Sequence, residues 1–332
     1  MPQSNNQTRC CRVIPSKSHL SQAFLTSALT LFTLAPLSAE DSGPFIQGGF
    51  QYSNFSGVAT SVVKPISAQE LVQEMEQAAR QRLEKQGVAP ETIQQTMQGL
   101  HLLIQQIVQR THPNGIAGSK SEITSNGNLY GVDIQFGYKQ FFGQKKRFGL
   151  RYYGIFSGQG GNFYDKDNKH SQPSANLFYG AGVDALYNFY EKNHQTYGVF
   201  AGVMLGGSSW LMGEGKTNGK CSYKNDKEDC ISMNDNFKNL EKQTNDGNIS
   251  KASFSPNYVQ FVFNFGFRMN FTKHQGFEFG TRIPTIDDPY YKMTQTRTTQ
   301  NSKTGKWSVK GSGITTTFRR NASLYWNYVY NF

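Results

Sequence analysis

Long hydrophobic runs are the first thing this chain lacks. No apolar stretch among its 332 residues reaches the roughly 20 residues a helix needs to cross a bilayer, and the mean hydropathy is −0.57. That excludes a helical membrane protein. Dense charge is missing too. The net charge of +11 is scattered over turns and loops, with no basic run of the kind that binds nucleic acid. Cysteine is scarce, at four residues. Cys10 and Cys11 precede an N-terminal apolar run, which leaves Cys221 and Cys230. The six histidines are also scattered, so neither a metal-ligand spacing nor a nucleophile with a nearby base emerges. Gly158-Gln-Gly-Gly161 lacks the strand-to-helix setting of a phosphate loop and reads as the start of a flexible loop. Hence no catalytic, cofactor-binding or metal residue and no cofactor is assigned.

What is present lies first at the two ends. Leu324, Trp326, Tyr328, Tyr330 and Phe332 fall two apart, so on a strand all five side chains share a face, while Ser323, Tyr325, Asn327 and Asn331 take the other. An aromatic stripe backed by polar groups suits a wall between lipid and water. A terminal strand of this kind resembles the assembly signal of bacterial outer-membrane barrels, carried here by Trp326, Tyr328, Tyr330 and Phe332. At the other end, Arg9, Arg12 and Lys17 precede an apolar run from Ala23 to Ala35, then Pro36-Leu-Ser-Ala39. This is the pattern of a secretory leader, residues 1–39, cleaved after Ala39 or close to it.

Alternating segments between the ends number eight: 45–55, 128–141, 147–157, 176–190, 197–210, 258–271, 276–284 and 319–332. The sixth is the clearest, with Val259, Phe261, Phe263, Phe265, Phe267, Met269 and Phe271 interleaved with Gln260, Asn264, Arg268 and Asn270. Most of these segments reach the roughly 9–11 residues that a tilted spanning strand needs. Connections alternate between short (143–146, 191–196, 272–275) and long (57–127, 158–175, 211–255, 285–318), the asymmetry of barrels with short inner turns and long external loops. The expected fold over residues 40–332 is an all-β membrane protein: an eight-stranded antiparallel outer-membrane β-barrel with a small α-helical hairpin inserted after the first strand.

Several segments carry a family resemblance. Asn128-Leu-Tyr-Gly-Val-Asp-Ile-Gln-Phe-Gly-Tyr-Lys-Gln-Phe-Phe-Gly143, Phe148-Gly-Leu-Arg-Tyr-Tyr153, Gly182-Val-Asp-Ala-Leu-Tyr-Asn-Phe189, Gly276-Phe-Glu-Phe-Gly-Thr-Arg-Ile-Pro-Thr285 and the terminal strand resemble the Helicobacter outer membrane protein family. The resemblance covers 45–55 and 128–332 and implies a surface-exposed outer-membrane protein. Large family members carry a helical adhesion domain after the first strand, and some are described as porins. Here the insert, 57–127, is short, so adhesin specificity does not transfer.

Within the insert, Ser67-Ala-Gln-Glu70 is a capping box. Leu71, Val72, Met75, Ala78, Ala79 and Leu83 follow at helical spacing, and Gly87 and Pro90 mark a turn. Ile93, Met97, Leu100, Ile104 and Ile107 form a heptad seam. Residues 65–111 therefore read as an external antiparallel helical hairpin whose two stripes cover each other, with a Gln-rich outer face. The sharper alternative gives Leu103 or Val108, outside the seam, a role in binding a partner.

Inward strand positions include Asp133, Lys139, Arg151, Asp184, Arg268, Glu278 and Arg282. Eight strands leave an interior that side chains can just fill, so these charges are expected to pack as a polar core rather than line an ion path. Cys221 and Cys230 share one loop of an exported chain and are expected to form a disulfide. The functional expectation is a non-enzymatic surface protein of the outer membrane, adhesin-like or structural, with a narrow channel or porin as the alternative. Its expected partners are outer-membrane lipid and lipopolysaccharide, the barrel assembly machinery and an unnamed host-surface ligand.

Overall fold

The computed structural model describes residues 42–143, 146–164, 170–192, 195–247, 249–300 and 306–332. The expected leader, residues 1–39, and its cleavage site lie outside the described residues.

Eight long strands form one antiparallel ring. The first five are β1 (Ser42–Val63), β2 (Ser119–Phe142), β3 (Phe148–Tyr164), β4 (His170–Lys192) and β5 (Gln195–Met212). Two two-residue strands, β6 (Lys216–Thr217) and β7 (Lys220–Cys221), and a short β8 (Ser250–Phe254) intervene before β9 (Asn257–Asn270) and β10 (Gln275–Pro284). Beyond these lie β11 (Asp288–Gln295), the small pair β12 (Thr299–Gln300) and β13 (Trp307–Ser308), and the closing strand β14 (Gly313–Asn331). The ring order is β1-β2-β3-β4-β5-β9-β10-β14, and β14 returns to β1 from Phe45↔Asn331 to Val62↔Gly313. Closure leaves no strand edge within the ring. Three helices occur among the described residues: α1 (Ala68–Lys85) and α2 (Pro90–Thr111) between β1 and β2, and α3 (Met233–Asp246) between β7 and β8.

Alternation decides the two faces. Phe50, Tyr130, Phe136, Phe148, Phe267 and Tyr328 stand at least half exposed around the wall, while their chain neighbours Gln51, Leu129, Gln135 and Asn327 are buried. A continuous belt of bare aromatics is untenable in water and natural against lipid.

Several strands run further than the sequence pattern suggested. β1 and β2 stay paired out to Val63↔Ser119. The expected long loop 158–175 is instead mostly strand: β3 continues to Tyr164 and pairs with β4 out to Ser171. Gly158–Gly161 are thus strand residues, not a flexible loop start. Small polar residues such as Asn162 and Ser174 hide strand character, because hydrophobic alternation signals only the stretch that meets lipid.

At one end of the barrel the long connections build a lobe. The outer part of β14 exchanges its partner β10 for β11, and β11 pairs with β8, extending the wall beyond the belt. Phe55, Leu129, Phe163, Trp210, Met212, Met233, Tyr290, Tyr291 and Phe318 form a closed apolar cluster beneath the lobe.

The helical hairpin forms as its signals direct. Ser67 Oγ accepts from Glu70 N at 3.2 Å and Glu70 Oε2 accepts from Ser67 N at 3.0 Å, the reciprocal capping box. Gly87 sits at φ 75°, and Pro90 opens α2. The seam differs from expectation at its end. Ile93, Met97, Ile104 and Val108 are buried, whereas Ile107 is 43 % exposed. The reason is a third layer. Val309 and Trp307 of the lobe pack against Ile66, Leu71, Ile104 and Val108, which rotates the buried stripe toward Val108. The two helices therefore do not merely cover each other, and Val108 is core rather than a partner contact. Leu103 remains half exposed.

Candidate functional site

The lumen is where the sequence placed its charges, and all seven of those residues are buried together there. Asp133, Lys139, Arg151, Asp184, Arg268, Glu278 and Arg282 are each at most 4 % exposed. Their placement follows from alternation on β2, β3, β4, β9 and β10, which aims every second side chain inward. Arg151 is the hub. Its Nη2 meets Asp184 Oδ2 at 2.6 Å and its Nη1 meets Glu278 Oε1 at 2.6 Å, joining β3, β4 and β10 across the interior. Arg282 Nη1 donates to Asp133 Oδ2 at 2.9 Å and to Gln51 Oε1 at 2.8 Å. Arg268 Nη1 donates to Asn188 Oδ1 at 3.0 Å, and Lys139 Nζ to Asn331 Oδ1 at 2.7 Å.

Neutral groups complete this network. Tyr153 Oη donates to Asp184 Oδ1 at 3.1 Å, Tyr325 Oη to Asn264 Oδ1 at 3.0 Å, and Asn327 Nδ2 to Asp133 Oδ1 at 2.8 Å. The Arg282 guanidinium lies 3.9 Å from the Tyr325 ring centroid, and that of Arg151 lies 4.8 Å from the Phe200 ring centroid. Charges this deep persist because they are paired and hydrogen-bonded. Room for these large side chains comes from glycines opposite them. A Cβ on Gly280 would stand 2.6 Å from the Tyr325 hydroxyl, and one on Gly182 would stand 2.6 Å from that of Tyr153.

Arg320 is the inward charge that strict alternation misassigns. Counting back from Tyr325 and Ser323 puts Asn321 and Arg319 inside. A β-bulge intervenes, since Asn54 pairs with Ala322 but Phe55 with Arg320. The extra residue, Asn321, flips the pattern. Arg320 is buried over the Phe178 ring, and Arg319 points out to Asp287 at 3.4 Å.

Above the polar core, the aromatic cluster caps the interior. Phe55 and Trp210 lie 5.3 Å apart by ring centroids, Trp210 and Phe318 5.6 Å, and Tyr290 and Phe318 4.8 Å. Tyr290 Oη donates to Asn234 Oδ1 at 2.7 Å, tying α3 down onto the cap. Asp288 is wholly buried at this level, and neither carboxylate oxygen has a hydrogen-bond partner among the described residues. Burial pushes its pKa up to about 7.

The lobe itself is tied by a disulfide between Cys221 and Cys230, with Cα atoms 5.7 Å apart. Inside that loop Asn225 Oδ1 accepts from the backbone N of Lys227 and of Asp229, both at 2.9 Å. Lys224 beside Glu228 holds that carboxyl below its usual range. The bridge, the lumen charges and the terminal stripe are separate places in the fold, not one constellation. His170, which sequence spacing left without a partner, lies 3.0 Å by Nδ1 from Thr217 Oγ1 and 3.3 Å from Ser222 Oγ. No group of three or more His, Cys, Asp or Glu suited to a metal occurs among the described residues.

The sequence profile of the Helicobacter outer membrane protein family matches residues 133–332, 200 of the 332 in the chain. The chain belongs to that family. Membership places it in the outer membrane, and the ring of eight strands is the means by which it resides there. No curated protein matches it in sequence. Among solved structures it is similar to the outer membrane protein OprG of Pseudomonas aeruginosa, at 9 % identity and TM-score 0.36 over 89 % of this chain and 97 % of that one. It is also similar to the outer membrane protease OmpT of Escherichia coli, at 8 % identity and TM-score 0.30 over 87 % and 97 %. For Ail, the attachment invasion locus protein of Yersinia pestis, the values are 9 % and 0.22 over 84 % and 98 %. Likenesses this loose carry no functional argument, and the barrel rests on its own strand ring.

Proposed function

We propose that this family member is a non-conducting, non-enzymatic scaffold: a plugged barrel that anchors a disulfide-tied lobe and a helical hairpin outside the cell for contact with other molecules. The observation that carries this reading is Arg151, wholly buried and paired at 2.6 Å with both Asp184 and Glu278 across the lumen. Opening a water path there requires breaking charge pairs in a low-dielectric interior, a cost of several kcal/mol. The aromatic cap above it adds a second barrier. An orientation with the short turns in the periplasm and the lobe outside follows the usual asymmetry of such barrels. In the chain's own geometry, His101 beside Glu76, His112 against Trp307 and His274 on the carbonyl of Asn331 serve local contacts. That supports a non-catalytic role.

Purified folded protein in planar bilayers tests the proposal. No stable large conductance is expected. Reproducible openings wide enough for hydrated sugars would overturn it in favour of a porin.

A further inference from the structure

The hairpin and the lobe do not meet along their whole length. Between the C-terminal half of α1 and the connection from β11 to β12 lies a cleft of about 490 Å³. Its charged lining is Arg82, Lys85, Arg297 and Lys310 against a single carboxylate, Glu74. All four cations are exposed, and no carboxylate of the described residues pairs with any of them. Helix structure explains only two of these four charges. Arg82 and Lys85 occupy the last turn of α1, where positive charge complements the helix dipole. Arg297 and Lys310 belong to another part of the chain and are not part of that helix's last turn. The fold brings them to the same cleft because Trp307 and Val309, just before Lys310, are packed under the hairpin. Four like charges around one cleft repel one another at a cost in stability, and a ligand of opposite charge relieves it.

We infer that this cleft is a binding site for a sulfated polysaccharide. A sulfate group stays ionised at any physiological pH and offers several oxygens to the forked donors of Arg82 and Arg297. The side-chain amides of Gln77 and Gln81 and the hydroxyl of Thr299 also line the cleft, and groups of this kind suit sugar hydroxyls. The volume is that of a pocket for a small ligand, enough for a short stretch of a longer chain.

Position favours a ligand arriving from outside over the phosphates of the surrounding outer leaflet. On β1 and β2 the last outward aromatics are Tyr52 and Tyr130, which pair with each other, whereas β1 continues to Val62↔Gly313 before the cleft's elements begin. Ten further residues on a strand tilted as in other barrels lift the cleft roughly 25 Å above the belt.

The test uses the full folded chain in lipid nanodiscs free of lipopolysaccharide. The probe is a heparin-derived octasaccharide, whose affinity is measured at 50 and 300 mM NaCl. Binding is expected at the lower salt and strong weakening at the higher. Each of Arg82→Gln, Lys85→Gln, Arg297→Gln and Lys310→Gln should weaken it about two- to fivefold, as exposed ion pairs do. The quadruple variant should lose it by about thirtyfold or more. A control quadruple variant, Lys220→Gln, Lys227→Gln, Lys238→Gln and Lys242→Gln on the disulfide side of the lobe, removes the same charge and should bind like the parent. Heat-modifiability on gels should stay unchanged in both.

The inference is overturned by any of five results: no binding at 50 mM NaCl, equal binding by the cleft quadruple variant, or equal loss in the control. The others are equal binding of the unsulfated octasaccharide, or an acidic peptide or lipopolysaccharide micelles that bind through the same four residues more tightly than the octasaccharide. The proposal rests on the outward orientation of the lobe in the scaffold reading but not on whether the barrel conducts, so loss of octasaccharide binding and the appearance of conductance fail separately.

Discussion

Asp288 shows how much a single residue can report on the lobe. Its carboxylate is buried without a hydrogen-bond partner among the described residues, and burial pushes its pKa up to about 7. The folded protein therefore holds this proton more tightly than the unfolded chain does. Its contribution is most favourable below about pH 4 and is lost as pH rises through about 7, on the order of 4 kcal/mol at most. Asp288→Asn should raise the unfolding temperature of the lobe at pH 7.5 and flatten its dependence between pH 4 and 7, followed by the fluorescence of Trp210. An unchanged pH profile would show that the carboxylate is solvated. Arg151 makes the opposite case. Arg151→Met leaves Asp184 and Glu278 buried without their main partner and should destabilise the folded barrel by about 3–5 kcal/mol, read as a lower urea midpoint for loss of the heat-modifiable form. A shift within error would mean the lumen is wetter than its packing implies. The inward charges Asp133, Lys139, Arg151, Asp184, Arg268, Glu278 and Arg282 were legible from alternation alone. Arg320 was not, because one extra residue at Asn321 inverts the count and leaves no mark in the sequence.

At the scale of elements, α1 and α2 were readable from their caps, their turn and their stripes, since each is a local signal. Their docking was not. The burial of Val108 and the exposure of Ile107 depend on Trp307 and Val309, about 200 residues away in the chain. That contact sharpens the expected result of removing residues 65–111 and joining the ends with a short Gly/Ser linker. The barrel should remain heat-modifiable, since loop length costs little stability. Residues 306–312, now uncovered, should become markedly more sensitive to limited proteolysis. Loss of assembly would make the hairpin part of the barrel's own structure, and an unchanged digestion pattern would argue against the packing of Trp307 under it. The extended strands β3 and β4 were legible only where they meet lipid, because beyond the belt both faces turn polar.

The whole molecule depends on ring closure. β14 pairs with β1 along its whole length and with β10 along its inner part, and Phe332 N donates to the carbonyl of Pro44 at 3.1 Å. The last strand thus completes the barrel and also carries the aromatic stripe proposed as the assembly signal. Changing Tyr330 and Phe332 together to Ser should leave export intact but sharply reduce heat-modifiable protein in outer-membrane fractions. Parental levels of folded protein in those fractions would rule out that role for the stripe.

By itself the sequence determined the membrane-facing pattern, the eight strands of the ring, seven of the inward charges and the hairpin. Each of these is written in spacing over a few residues, because strand and helix periods are local properties of the backbone. Only the tertiary structure decided which inward charges pair, where the bulge resets the register, and how the lobe packs onto the barrel. It also decided that Arg297 and Lys310 face Arg82 and Lys85. These depend on which distant segments meet across a closed ring, and pairing at such separations is selected by packing and charge in the folded whole rather than by any short stretch of chain.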